Sequence, residues 1–222
     1  MIIDDLEKIR RQDQTHALFI ENSDVLHKIN CVKIVTFPVY LATQYAMYQS
    51  ASKFSIRISE NPYAPKASNR IKENLSKLEK VIYSRIEKEA LIEEGAAKLA
   101  VQFSGGNLRF LVDIIQKASR NAISLDEEEI SDTRLTATDI QSAVDELAEL
   151  PSLSVMKRVK VLKYVLENYK EPEDETMRKD FIDSVLDNSV FAYFNGHPWY
   201  EVNPVIIESV RVYSEKRKIS RP

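Results

Sequence analysis

Two adjacent carboxylates follow a short apolar run at the start of the chain. Residues 2–8 read IIDDLEK, so Asp4 and Asp5 come directly after two isoleucines. If residues 1–3 form a strand of a parallel α/β sheet, these acids lie at its carboxyl end, the edge at which ligands bind in open α/β sheets. There one carboxylate can hold Mg²⁺ and its neighbour can polarise a water that attacks a phosphoryl group. A solvated turn is the alternative interpretation of the same two acids.

Two later residues could act on the same kind of substrate. Thr36 lies near the end of a β-rich run, residues 32–37, and would place a hydroxyl at a strand tip. Arg109 follows the turn-forming sequence SGGN of residues 104–107 and falls in the first turn of a predicted helix. The helix dipole slightly disfavours a cation there, so such a cation often meets an anion from elsewhere. A strand-end hydroxyl and a surface arginine are the alternative interpretations.

The scarce residue types exclude several kinds of site. The four glycines are Gly95, Gly105, Gly106 and Gly196. No pair of them fits the phosphate loop G-x-x-x-x-G-K-[ST], and a dinucleotide-binding G-x-G-x-x-G sequence is equally impossible. A single cysteine, Cys31, excludes an internal disulfide and a four-cysteine zinc site. The three histidines show no close metal-binding spacing.

The overall composition is that of an ordinary globular protein. With 222 residues, we expect one or two domains at ~150 residues each. The 31 basic and 34 acidic residues give a net charge of −3, so no global nucleic-acid footprint exists. The longest uncharged run, residues 34–52, is too short and too polar for a membrane span. The acidic start excludes a secretory signal. We therefore expect a cytoplasmic protein with no membrane contact and with Cys31 reduced.

The sequence pattern predicts α/β structure followed by mainly α structure. Residues 1–60 contain three short apolar runs, at 1–3, 32–37 and 54–58, with a helical stretch at 14–28 that buries Phe19. This order predicts part of a parallel sheet. Residues 61–150 are helical: one apolar stripe recurs at Leu91, Gly95, Leu99 and Phe103, and Thr138 with Gln141 forms a predicted capping box.

Residues 151–222 predict a third domain. Two helical stripes precede two aromatic-rich β runs around Asn195-Gly196, which is a strong hairpin signal. Helix, helix and hairpin is the winged-helix order. The aromatic residues of the hairpin are expected to form its packing face rather than a platform for nucleic-acid bases; they are Phe191, Tyr193, Trp199 and Tyr200.

Five sequence strings resemble the AAA-type ATPases of the bacterial STAND and Cdc6-like kind. IIDDLEK resembles a Walker B strand, and THALFIEN at 15–22 the helix that follows it. CVKIVTFPV at 31–39 resembles a sensor-1 strand, and SGGNLRFL at 104–111 a sensor-2 string. NGHPWYEVNP at 195–204 resembles the end of a C-terminal winged-helix-like unit. The strings occur in family order and extend over nearly the whole chain.

The resemblance implies a role for each candidate residue. Asp4 matches the Walker B acid that binds Mg²⁺, and Asp5 matches the second, catalytic acid. Thr36 matches sensor 1, and Arg109 matches the sensor-2 arginine of the helical lid. The implied domains are a partial ATPase core at 1–60, a helical lid at 61–150 and a winged-helix-like unit at 151–222. ATP and Mg²⁺ are the cofactors that the resemblance implies for the complete family protein.

The chain departs from the family by lacking the phosphate loop and the strands around it. We therefore expect a truncated gene product, a fragment, or a half that needs a partner, and no tight nucleotide binding by this chain alone. The implied partners are the missing N-terminal ATPase half, another protein or further copies of this chain. The predicted function is an ATP-dependent switch module. The alternative is a non-enzymatic winged-helix adaptor that binds DNA or protein.

We expect no measurable ATP hydrolysis by this chain alone, because its sequence contains no phosphate loop and so lacks the lysine and backbone amides that bind the phosphates. A phosphate-release assay with Mg-ATP at high protein concentration tests this. Turnover that survives purification and disappears in Asp5→Asn would contradict the expectation.

Overall fold

The described part of the chain is mainly helical. The computed structural model describes residues 2–3, 9, 11–28, 30, 34–35, 37, 41, 68–86, 91–125, 134–149, 152–195 and 197–219. No helix within these ranges combines the length and apolar character that a membrane crossing needs. The predicted mainly α character and the C-terminal hairpin are confirmed.

The elements follow one another in this order. The N-terminal ones are β1 (Ile2–Ile3), α1 (Gln12–His16), a π-helical turn (Ala17–Glu21), α2 (Ser23–Lys28) and β2 (Ile34–Val35). The central helices are α3 (Ser68–Tyr83), α4 (Glu94–Phe103), α5 (Leu108–Leu125) and α6 (Ala137–Glu149). The C-terminal elements are α7 (Ser152–Asn168), α8 (Glu175–Leu186), β3 (Val190–Asn195), β4 (His197–Val202), a 3₁₀ turn (Pro204–Ile206) and α9 (Ile207–Ile219).

The chain divides into two compact units. The first comprises Met1–Phe54 and Lys160–Glu201, and the second comprises Ser55–Val159 and Val202–Pro222. The three-domain division at 1–60, 61–150 and 151–222 stays a prediction.

The described strands do not form the predicted parallel ATPase sheet. Among the described residues, parallel strand pairing is limited to β1 with β2, which contribute two residues each. The other sheet is the two-stranded antiparallel hairpin of β3 and β4. The predicted strand at 54–58 lies outside the described residues. Two-residue strands exchange few backbone hydrogen bonds, so this pair is a small fragment of what a phosphate-loop sheet contains.

Aromatic rings form a core in the first unit. Tyr193 and Trp199 face each other across the hairpin and stack with ring centroids 4.4 Å apart. Phe181 of α8 meets Tyr200 edge-on at 4.9 Å. These four side chains are buried. Since offset stacking and edge contacts are the favoured aromatic geometries, the prediction that the hairpin aromatics form a packing face is confirmed.

The chain leaves α7 through a left-handed residue. Tyr169, directly after the helix, has φ 55°, a conformation uncommon outside glycine and asparagine. Its carbonyl accepts a hydrogen bond of 2.9 Å from the backbone N–H of Tyr200. Its side chain packs against the cluster of Phe191, Tyr193 and Trp199. This packing and hydrogen bonding offset the backbone strain.

A backbone bridge organises the second unit. The N–H of Glu93 donates to the carbonyl of Leu135 at 3.0 Å, and the N–H of Leu135 donates to the carbonyl of Leu91 at 2.9 Å. The side chains of Ile92 and Leu135 are buried at this bridge. From here α6 packs against both α4 and α5, and the 3₁₀ turn packs against α6.

The core-facing side of α4 differs from the predicted stripe. Leu91 and Gly95 are exposed, and Leu99 and Phe103 are only half-buried. The buried residues are instead Ala96, Ala97, Ala100 and Val101. Small side chains let the neighbouring helices approach α4 closely, and a count of large apolar residues overlooks such a face.

Helix α6 begins at a different capping box from the one predicted. The hydroxyl of Thr136 accepts from the N–H of Asp139, and the Asp139 carboxylate accepts from the N–H of Thr136. This reciprocal pair satisfies two donors at the helix start. Thr138 lies inside the first turn, and Gln141 donates to Asp145 instead. The predicted box of Thr138 and Gln141 is therefore wrong by two residues.

Helix α8 has a charged N-cap. The Asp174 carboxylate accepts from the backbone N–H of Thr176 at 2.9 Å and from its hydroxyl at 2.6 Å. Lys160 lies 3.7 Å from the same carboxylate. The hydrogen bonds from Thr176 are the main cause that lowers the pKa of Asp174 from its ordinary value of 3.8.

We expect this cap to make the first unit less stable in acid. Because the folded pKa is depressed, the stabilisation is complete above the unfolded pKa near 3.8 and is lost as pH falls through the lower folded value. Trp199, the only tryptophan, lies in the same unit, so its fluorescence can follow urea unfolding at neutral and acidic pH. Asp174→Asn keeps an acceptor without the charge and should lower this pH dependence. An equal acid shift in both proteins would contradict the assignment.

Candidate functional site

The parallel strand pair leads towards three of the predicted site residues. Ile2 lies opposite Ile34, and Ile3 lies opposite Val35. In sequence, Asp4 follows Ile3 and Thr36 follows Val35. Asp4, Asp5 and Thr36 themselves lie outside the described residues. The structure therefore gives the register of the strands that precede them.

Phe19 lies in the segment that connects β1 and β2, on the π-helical turn. Its side chain is buried, as predicted, and its ring meets that of Phe37 edge-on with centroids 6.3 Å apart. Phe37 is the residue after Thr36 in sequence. One turn earlier, the buried Thr15 hydroxyl donates to the carbonyl of Arg11 at 3.0 Å. These contacts anchor the connecting segment beside the end of the second strand.

A hydrogen-bonded turn positions Arg109. The buried hydroxyl of Ser104 donates to the carbonyl of Val101 at 2.7 Å and accepts from the N–H of Gly106 at 3.2 Å. The side-chain oxygen of Asn107 accepts from the N–H of Phe110 at 3.2 Å and caps α5. The predicted turn with an N-cap is therefore confirmed.

Both glycines of this turn are required by the backbone. Gly105 has φ 58° and Gly106 has φ 81°. A positive φ at two successive positions costs conformational free energy for any residue that carries a Cβ. The chain can therefore reverse tightly between α4 and α5 at this place.

Arg109 is exposed in the first turn of α5. Within the described ranges, its guanidinium has no hydrogen-bond or ion-pair partner. The turn is held by the side chains of Ser104 and Asn107, so the Arg109 side chain is not needed to build it. An exposed arginine on a rigid helix start can bind an anion that approaches from outside.

The described residues contain no group of three or more histidine, cysteine, aspartate or glutamate side chains that could hold a metal ion. His16 is 3.2 Å from the Glu21 carboxylate, a pair rather than a cluster. The predicted Mg²⁺ ligand Asp4 is outside this search and stays a prediction.

Sequence reasoning overlooked an open groove along α3 and α5. It has a volume of about 390 Å³. Aliphatic side chains and two arginines line it; the lining residues are Val81, Ile82, Arg85, Ile86, Leu111, Val112, Ile115, Gln116, Ser119 and Arg120. The apolar positions along 81–86 and 111–115 were visible in the sequence. The space between the two helices was not, because it depends on how far apart they pack.

The cations of α7 and α8 bear on the alternative interpretation, in which a winged-helix adaptor binds DNA. Three of them are paired with carboxylates: Lys160 with Asp174, Lys163 with Glu167, and Arg178 with Glu175. Such pairs reduce the positive potential that phosphate contacts need. Lys157 of α7 is exposed.

Comparisons of the chain with protein-family models, curated proteins and solved structures found no match. The roles of Asp4, Asp5, Thr36 and Arg109 therefore stay predictions from the sequence strings.

Exchanging glycine for alanine at two sites tests the turn before Arg109. Gly106→Ala places a Cβ on a residue with φ 81° and should destabilise the protein by about 1 kcal/mol or more. Gly95→Ala is the matched control: it lies within α4, and nothing is within 4 Å of the added Cβ. It should stabilise by about 0.5 kcal/mol. Urea unfolding followed by far-UV circular dichroism measures both; equal effects of the same sign would contradict this description of the turn.

Proposed function

We propose that this chain is the sensor, lid and C-terminal part of a nucleotide-dependent switch of the AAA/STAND type, acting in the cytoplasm. The supporting observation is the parallel register of β1 and β2, with Ile3 opposite Val35. Asp4 and Thr36 are the next residues of the two segments in sequence. In this proposal, the Asp4 carboxylate and the Thr36 hydroxyl lie together at the carboxyl ends of the two strands. Open α/β sheets bind their ligands at this edge.

Each residue has a separate task in this proposal. Asp4 holds Mg²⁺, and Asp5 polarises the water that attacks the terminal phosphate of ATP. Thr36 hydrogen-bonds that phosphate or the water. Arg109 reaches the phosphate from the lid and neutralises charge that develops during the reaction.

The environment of Arg109 supports its assignment as the lid arginine. Its side chain is exposed and has no carboxylate partner in the described part of the chain. A guanidinium already held in an ion pair would lose that pair on binding phosphate. The Ser104 and Asn107 hydrogen bonds fix the helix start, so Arg109 can bind a phosphate without unfolding its turn.

The switch needs a phosphate loop from another polypeptide segment, because this sequence contains none. That segment would supply the lysine and the backbone amides that bind the β- and γ-phosphates. We propose that the chain works with such an ATPase half, and that any oligomer consists of copies of the resulting complex. Reading the DNA immediately upstream of the first codon tests this cheaply: an in-frame G-x-x-x-x-G-K-[ST] supports the proposal.

A nucleotide assay of the chain joined to that half tests the site residues. We expect Mg²⁺-dependent ATP binding and slow hydrolysis. Asp5→Asn should abolish hydrolysis while ATP still binds, because its role is in the reaction step. Arg109→Ala should lower the hydrolysis rate by roughly 100-fold, as expected for a preorganised charge lost from the transition state.

Arg134→Ala is the matched control, an exposed arginine of the same unit outside the proposed site. It should leave hydrolysis unchanged. Equal losses in Arg109→Ala and Arg134→Ala would assign the effect to overall charge and count against the lid role. The proposal would be overturned if Asp4→Asn left ATP binding unchanged and Asp5→Asn left hydrolysis unchanged.

A non-enzymatic adaptor is the second candidate function. The order of α7, α8 and the β3–β4 hairpin favours it, because helix, helix and hairpin is the winged-helix order. In winged helices, the second helix and the hairpin contact DNA. Salt-sensitive DNA binding by the whole chain without nucleotide would support this function. The paired cations of α7 and α8 lead us to rank it second.

A further inference from the structure

We propose that the groove along α3 and α5 binds a small amphiphilic anion, with an aliphatic chain and one carboxylate or phosphate head group. This inference is independent of the nucleotide site. It rests on the groove's size, its aliphatic lining and two arginines within that lining.

The size of the groove fits a small ligand. Its volume of about 390 Å³ lies near the lower end of the range of small-molecule pockets. A medium-length alkyl chain with a head group fits a groove of this size.

The lining defines the apolar part of the ligand. Leu111 and Ile82 are buried, while Val81, Val112 and Ile115 are half-buried and still present surface to the groove. The hydroxyl of Ser119 donates to the carbonyl of Ile115 at 2.8 Å, so its proton is used within the helix. An aliphatic chain that covers these side chains removes apolar surface from water on both partners.

The arginines define the charged part. Arg85 and Arg120 are exposed, and neither guanidinium has a hydrogen-bond or ion-pair partner among the described residues. Gln116 adds an amide to the same lining. Arginine binds carboxylate and phosphate oxygens through parallel N–H donors, so an anionic head group complements this groove.

Methyl NMR titration of the whole chain tests the proposal with four ligands of equal chain length: octanoate, octyl phosphate, octanol and octylammonium. We expect saturable shifts of the Ile115 and Val112 methyl groups with octanoate or octyl phosphate, at a dissociation constant near 1 mM or tighter. The stronger of these two identifies the head group. Octanol should bind several-fold more weakly and octylammonium weakest. Added salt should weaken only the anions.

Substitutions separate the contribution of the arginines, which bind the head group, from that of the aliphatic lining, which binds the alkyl chain. Arg120→Gln and Arg85→Gln should each weaken octanoate binding about fivefold and leave octanol binding unchanged. Arg134→Gln, exposed and outside the groove, should change neither. Equal binding of octanol and octanoate with no effect of the arginine variants would overturn the anion assignment. The absence of saturable shifts with all four ligands would overturn the proposal and favour a protein as the occupant.

Discussion

The backbone bridge between Leu135 and the Leu91–Glu93 segment is the constraint on which the second unit depends. It joins the residues that precede α4 to those that precede α6, and so closes the α4–α5 hairpin at its base. Buried backbone groups need partners, and here each segment supplies the other's. With this base closed, α6 packs against both helices, and the turn that carries Arg109 lies at the opposite end of α4.

Features fixed by short-range chemistry could be predicted from the sequence. The turn before α5 is an example, because Gly105, Gly106 and Asn107 meet local backbone needs that few other residues meet. The hairpin is another, since alternating aromatics flank Asn195 and Gly196. The start of α6 could not be predicted in the same way. Thr136 with Asp139 and Thr138 with Gln141 both fit a capping box, and the bridge at Leu135 decides between them.

Features that depend on packing between distant segments were harder to predict, because local sequence patterns carry little information about them. The buried face of α4 consists mostly of alanines, so its periodicity carries little hydrophobic contrast with the rest of the helix. The groove along α3 and α5 depends on the distance between two helices, which no local pattern encodes. For the strand pair, the apolar runs indicated the partners correctly. The predicted larger sheet was wrong because the described strands pair over only two residues.

The π-helical turn at Ala17–Glu21 has a consequence for how this segment can change length. The N–H of Asn22 donates to the carbonyl of Ala17, five residues back, at 3.0 Å, and the Asn22 side-chain amide donates to the same oxygen at 2.8 Å. A π-turn contains one more residue than the α-helical path between the same flanks. Deleting one residue of this turn would therefore leave α-helical hydrogen bonding from Gln12 up to the turn at Asn22.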